Sequence, residues 1–144
     1  MAEAEEIIID LINRAFDGIK PIVNDYQVES WREFTDEWIE ENKDIFMYYS
    51  HDDELFLLPA FLCYLLRNFR TASQSTMYIT IEGTLECTLR EYSKCTRKDC
   101  FKYSLTNAQF SAIKAFIKHC RYNMPVNIDK EQWGKILKGW KRGR

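Results

Sequence analysis

Apolar positions recur with helical spacing from the first residues onward. Ile7, Leu11, Ala15 and Ile19 fall four residues apart, with Ile8, Ile12 and Phe16 beside them, which predicts an amphipathic helix over residues 3–19. Glu3, Glu5 and Glu6 sit in its first turn, where the helix dipole favours acids, and Gly18 and Pro21 close it. A second helical region is expected from Ser30, because Ser30-Trp31-Arg32-Glu33 is a capping box. At about 100° per residue, Trp31, Phe34, Trp38, Ile45 and Tyr49 share one face within about 60°. Glu33, Asp36, Glu37, Glu40, Glu41 and Asp44 fall on the other. A break at Asn42-Lys43 would divide the region into two shorter helices.

Residues 53–70 are apolar on nearly every side between Leu55 and Leu66, the pattern of a central, buried helix. Pro59 lacks an N–H, so this helix is expected to start or kink there. Residues 76–93 carry two periods. Met77 to Ile81 alternates like a strand, and Gly83 would turn it into a hairpin with Thr84–Leu89. Tyr78, Ile81, Leu85, Leu89 and Tyr92 recur as a helix stripe, and a lone hairpin is marginal in a helical chain, so a helix is favoured. Residues 94–104 read as a basic, cysteine-bearing loop. Thr106 caps a helix with Phe110, Ile113, Phe116, Ile117 and Cys120 on its core face, ended by Asn123-Met124-Pro125. Asp129 caps a last helix whose apolar side is Trp133, Ile136, Leu137 and Trp140. Lys130, Lys135, Lys138, Lys141 and Arg142 cover the remainder. The expected fold is all-α: one compact domain, residues 1–144, of about five to seven helices around the buried apolar one.

Composition supports a real core, with 46% hydrophobic and 15% aromatic residues, few glycines and few prolines. No apolar run is long enough to span a membrane. The acidic start lacks the basic lead of a secretory signal, so a cytoplasmic location is expected. Five cysteines, an odd number, then read as reduced thiols with no intrachain disulfide. The Cys95-x4-Cys100 spacing, with Cys87, His119 and Cys120 elsewhere, is wider than paired zinc ligands require, and no metal or cofactor is expected.

The net charge of −2 conceals a division along the chain. Residues 1–60 hold 16 acidic and 4 basic side chains, and residues 61–144 hold 6 acidic and 16 basic. Such asymmetry points to a charged partner unless the two halves interleave and neutralise each other. The sequence has no P-loop, dinucleotide-binding glycine motif, nucleophile elbow or zinc-protease motif. His51-Asp52-Asp53-Glu54 is consecutive, so its side chains diverge, and an acid-rich helix start accounts for it. His119 and Cys120 are adjacent in the chain, whereas a nucleophile pair must meet across a fold. An enzyme is therefore not the leading expectation.

Trp31, the block Leu57-Leu58-Pro59-Ala60-Phe61-Leu62, and Leu105-Thr106 with Gln109, Ala112, Ile113, Phe116 and Ile117 form a series. It resembles a family of small bacterial helical proteins of unknown function, over about residues 28–122. The matched positions are apolar residues, a cap and a proline, so the resemblance implies a fold and carries no catalytic residues. In size and charge alone the chain is also similar to toxin immunity proteins.

The leading functional expectation is a cytosolic immunity or antitoxin-like protein that blocks a cationic toxin, foremost a basic nuclease. A nuclease site built to hold phosphates is cationic, and a row of carboxylates can occupy it and steer association. The expected partner-binding residues are Asp36, Glu37, Glu40, Glu41 and Asp44, followed by Asp52 and Asp53. One alternative is a nucleic-acid-binding regulator using the basic last helix, with Trp133 and Trp140 as its aromatics. The other is an enzyme of unrecognised type.

Overall fold

The helix α4 (Glu54–Ala72) is the axis of the molecule because its first three turns leave no side for water. Every residue from Phe56 to Leu66 is buried, Leu58, Phe61, Leu62 and Leu65 completely. The computed structural model describes residues 3–22, 26–48, 53–72, 75–123 and 130–142. Among them the regular structure is entirely helical. Around α4 stand α1 (Glu3–Ala15), α2 (Asp36–Glu41), α3 (Ile45–Tyr48), α5 (Thr76–Lys94), α6 (Phe101–Ser104), α7 (Asn107–Tyr122) and α8 (Lys130–Gly139). α1, α2 and α5 pack on α4; α7 packs against α1 and α8; α8 closes on α5. One hydrophobic cluster runs from Ile8 to Trp140.

Pro59 neither starts nor bounds α4, which begins at Glu54. It lies just beyond the first turn, whose N–H groups have no intrahelical partner in any case, so the ring removes one further bond and is itself buried. α5 is a continuous helix, with Gly83 inside it. Tyr78, Ile81, Leu85 and Leu89 are fully buried together, and the Tyr78 hydroxyl donates to the Leu65 carbonyl at 3.0 Å, fastening α5 to α4.

α1 is shorter than expected and rotated. Its buried stripe is Glu5, Ile8, Ile12 and Phe16, while Ile7 and Leu11 face outward at 54% and 39% exposure. The rotation brings Glu5 onto Arg70 of α4 and His119 of α7. Gly18 ends the helix region in the left-handed conformation at φ +79°, which a side chain disfavours. The carbonyls at this end have dedicated donors: Trp31 Nε1 to Phe16 at 2.9 Å and Gln109 Nε2 to Ala15 at 3.2 Å.

The region from Ser30 departs from a single helix. The Ser30 capping box forms, but it caps one 3-10 turn, Trp31–Glu33. Thr35 then acts as a second N-cap, accepting from Trp38 N at 3.0 Å, and starts α2 afresh. The restart resets the helical phase. Ile39 is therefore the fully buried residue of α2, and Trp38 is half-buried against Phe34, Tyr26 and Phe61. Tyr49 lies outside the described residues.

α7 opens on a capping box between Thr106 and Gln109. Its end at Tyr122 agrees with the expected stop, whereas Met124, Pro125 and the expected cap Asp129 lie outside the described residues. α8 is fixed by two indoles: Trp133 Nε1 donates to Glu82 at 2.6 Å, and Trp140 Nε1 to the Phe110 carbonyl at 3.1 Å. The segment expected to be loop contains the one-turn α6. It also holds a disulfide between Cys95 and Cys100, contrary to the expectation of reduced thiols throughout. Their Cα atoms are 6.3 Å apart, inside the range a disulfide spans. The odd cysteine count did not exclude this local pair, and Cys63, Cys87 and Cys120 are the free thiols.

Candidate functional site

Packing of α2 on α4 divides the expected acidic row into two sets. Asp36 and Glu40 share the side of α2 that meets α4. Asp36 receives Arg67 Nη2 at 2.5 Å and Asn68 Nδ2 at 3.3 Å. Glu40 receives the Tyr64 hydroxyl at 2.7 Å. Tyr64 is buried, and burial followed by the neighbouring Glu40 carboxylate holds its phenol well above the usual range. Glu37 and Glu41 lie one turn apart on the adjoining, outward side, both exposed, and no described ion pair engages either. Asp44 is half-buried in the turn that follows α2.

The continuation of the row into Asp52 and Asp53 does not extend this face. Asp52, like His51, lies outside the described residues. Asp53 is buried, with Oδ1 accepting from Ile22 N at 2.6 Å and Oδ2 from the Tyr26 hydroxyl at 2.9 Å. It holds the segment after α1 against the start of α4. The signals that sequence reasoning missed are these anchors: Arg67, Tyr64 and Asn68 recur along one side of α4, but an apolar helix gives no reason to look for a carboxylate beside it.

The two charged halves of the chain interleave only in part. Arg67–Asp36 and Arg70–Glu5 pair across them, the latter through Nε at 3.0 Å. The acidic α2 packs on α4, while α8, with exposed Lys135 and Lys138 and followed by exposed Lys141, packs on α5 and α7. The aromatics of the basic helix are unavailable for stacking on bases, because Trp133 and Trp140 are buried in the core.

His119 meets not a cysteine but Glu5, with Nε2 3.5 Å from Oε2, and its ring stands edge-on to Phe69. Burial lowers its pKa, Glu5 opposes that shift, and Arg70 adds to it. Burial pushes the Cys120 thiol well up, and pushes Cys63 up to about 12 against the pull of Arg67 and Arg32. Thiols in that state are poor nucleophiles at neutral pH. Among the described residues no three histidine, cysteine or acidic side chains gather as a metal site. No described helix is long and apolar enough to cross a membrane. Comparison of the chain with known protein families, curated proteins and solved structures finds no match.

Proposed function

We propose that the protein is a binding module whose acidic α2 face engages a cationic protein surface, and in its most specific form blocks a basic toxin such as a nuclease. The observation that carries this reading is the geometry of α2. Asp36 and Glu40 tie the helix to α4, and Glu37 and Glu41 project away from it. A tethered helix presents its outward carboxylates on a backbone that is already ordered, so binding costs only their side-chain freedom, which favours affinity. Charge at such a face also speeds encounter with a cationic partner.

The test is affinity capture from the native cell lysate with three forms of the chain. These are the wild type, Glu37→Lys with Glu41→Lys, and Lys138→Glu with Lys141→Glu. The expected result is a basic protein retained by the wild type and the α8 variant and lost by the α2 variant. Its association should slow as salt rises, because exposed charges are screened over about 8 Å at physiological ionic strength. Retention by the α2 variant together with loss by the α8 variant would overturn the reading.

A further inference from the structure

A second charged feature lies away from α2, where the C-terminal ends of α5 and α8 converge. Each helix end leaves carbonyls without intrahelical donors and carries roughly half a negative charge. The buried Lys102 of α6 answers both. Its Nζ donates to the Ser93 carbonyl at 3.0 Å and the Gly139 carbonyl at 3.2 Å, and the residue is only 2% exposed. Gly139 permits the approach, since a Cβ there would stand 3.3 Å from the Ser93 oxygen.

A pocket opens beside this clasp. Three cations, Lys102, Lys141 and Arg142, line it together with the hydroxyl residues Ser93, Thr96 and Tyr103, and no described carboxylate does. Arg142 is held in place: Nη1 donates to the Lys102 and Leu105 carbonyls at 2.9 and 2.8 Å, and Nη2 to the side-chain Oδ1 of Asn107 at 2.9 Å. Three cations less two helix ends leave about two positive charges in the pocket. A phosphate monoester carries roughly −1.5 to −2 at neutral pH and offers three strong acceptor oxygens. A carboxylate supplies half that charge. We propose that this pocket binds the phosphoryl group of a small phosphorylated ligand, with Lys141 and Thr96 as its mobile contacts and Lys102 as its fixed floor. Burial first and Lys141 second lower the pKa of Lys102, and a dianion bound beside the two lysines would oppose the second of these effects.

The experiment is calorimetric titration of the full chain with inorganic phosphate, at constant ionic strength in a chloride buffer. Saturable one-to-one binding is expected. Lys141→Ala should weaken it about tenfold or more, the effect of losing one charge-assisted hydrogen bond. Lys141→Arg should restore most of it, and Lys138→Ala, outside the pocket, should leave it unchanged. These variants spare Lys102, whose removal would disturb the helix ends. Glycerol phosphate should bind at least as well as inorganic phosphate and should displace it. Equal binding by the wild type and Lys141→Ala, or acetate binding as tightly as phosphate, would overturn the proposal. So would binding of a short single-stranded oligonucleotide without binding of either monophosphate.

Discussion

The tether between Glu40 and Tyr64 gives the sharpest stability test of the α2 face. Tyr64 is 2% exposed and its hydroxyl lies 2.7 Å from a Glu40 carboxylate oxygen. Glu40→Ala removes the acceptor and leaves a buried hydroxyl behind, which costs about 1–3 kcal/mol. Glu40 is itself only half-buried, so water competes for the bond and the lower half of that range is expected. Tyr64→Phe removes the hydroxyl and leaves Glu40 within reach of water, so it should cost about 1 kcal/mol or less. If the two groups act as a pair, the double variant should recover a coupling energy of about 1 kcal/mol. Urea unfolding followed by tryptophan fluorescence measures all four proteins, with unchanged slopes expected because the exposed area does not change. A Glu40→Ala variant within about 0.5 kcal/mol of wild type would refute the tether, as would strict additivity of the two changes. By contrast, Glu37→Lys with Glu41→Lys should stay within about 0.5 kcal/mol, because neither acid has a described ion-pair partner.

Leu62→Ala, at a fully buried position of α4, should lower the unfolding free energy by about 2–5 kcal/mol in the same assay, and a loss below 1 kcal/mol would remove α4 from the centre of the core. His119 has a folded pKa below its ordinary 6.5, so the unfolded chain binds its proton more tightly. Its contribution to stability is full above 6.5 and is lost as pH falls through that value towards the depressed one. His119→Gln should therefore flatten the decline in stability between about pH 7.5 and about pH 5, with Glu5 and Arg70 left in place, and an unchanged decline would contradict the assignment. The unreduced protein should weigh two hydrogens less than the fully reduced chain, and reduction of Cys95–Cys100 should cost about 2 kcal/mol for so short a loop. Gly18→Ala should cost about 1 kcal/mol through its backbone alone, since no atom lies within 4 Å of the added Cβ.

Periodicity made most of the helices legible. The stripes of α4, α5, α7 and α8 are written in large apolar residues, and a helix that must bury such a stripe has few alternatives. Phase was harder to read. Trp31, Phe34 and Trp38 fit one continuous helix, yet Thr35-Asp36-Glu37 is itself an N-terminal signature of a cap followed by acids, and it prevails. On α1 two apolar stripes compete; the one with Ile8, Ile12 and Phe16 is buried, and Glu5 on that side is accommodated by Arg70 and His119, partners far along the chain. Lys102 was invisible for the same reason. A lysine in a basic segment reads as solvated until the ends of two helices are known to meet over it.

The same dependence on distant partners governs what the acidic row can do. Glu37 and Glu41 form a like-charged pair one turn apart, an arrangement that destabilises a helix by a few tenths of a kcal/mol. α2 has six residues, too few to persist in isolation. It stands because Thr35 caps it, Ile39 is buried beneath it, and Asp36 and Glu40 hold it to α4. The repulsion between Glu37 and Glu41 is therefore opposed by tertiary contacts and not by a local cation. A cationic side chain placed between these two carboxylates would relieve that repulsion, whereas one approaching Asp36 would have to compete with Arg67. Binding at this face should consequently depend on Glu37 and Glu41 more than on Asp36 or Glu40, although all four contribute equally to a count of charge along the sequence.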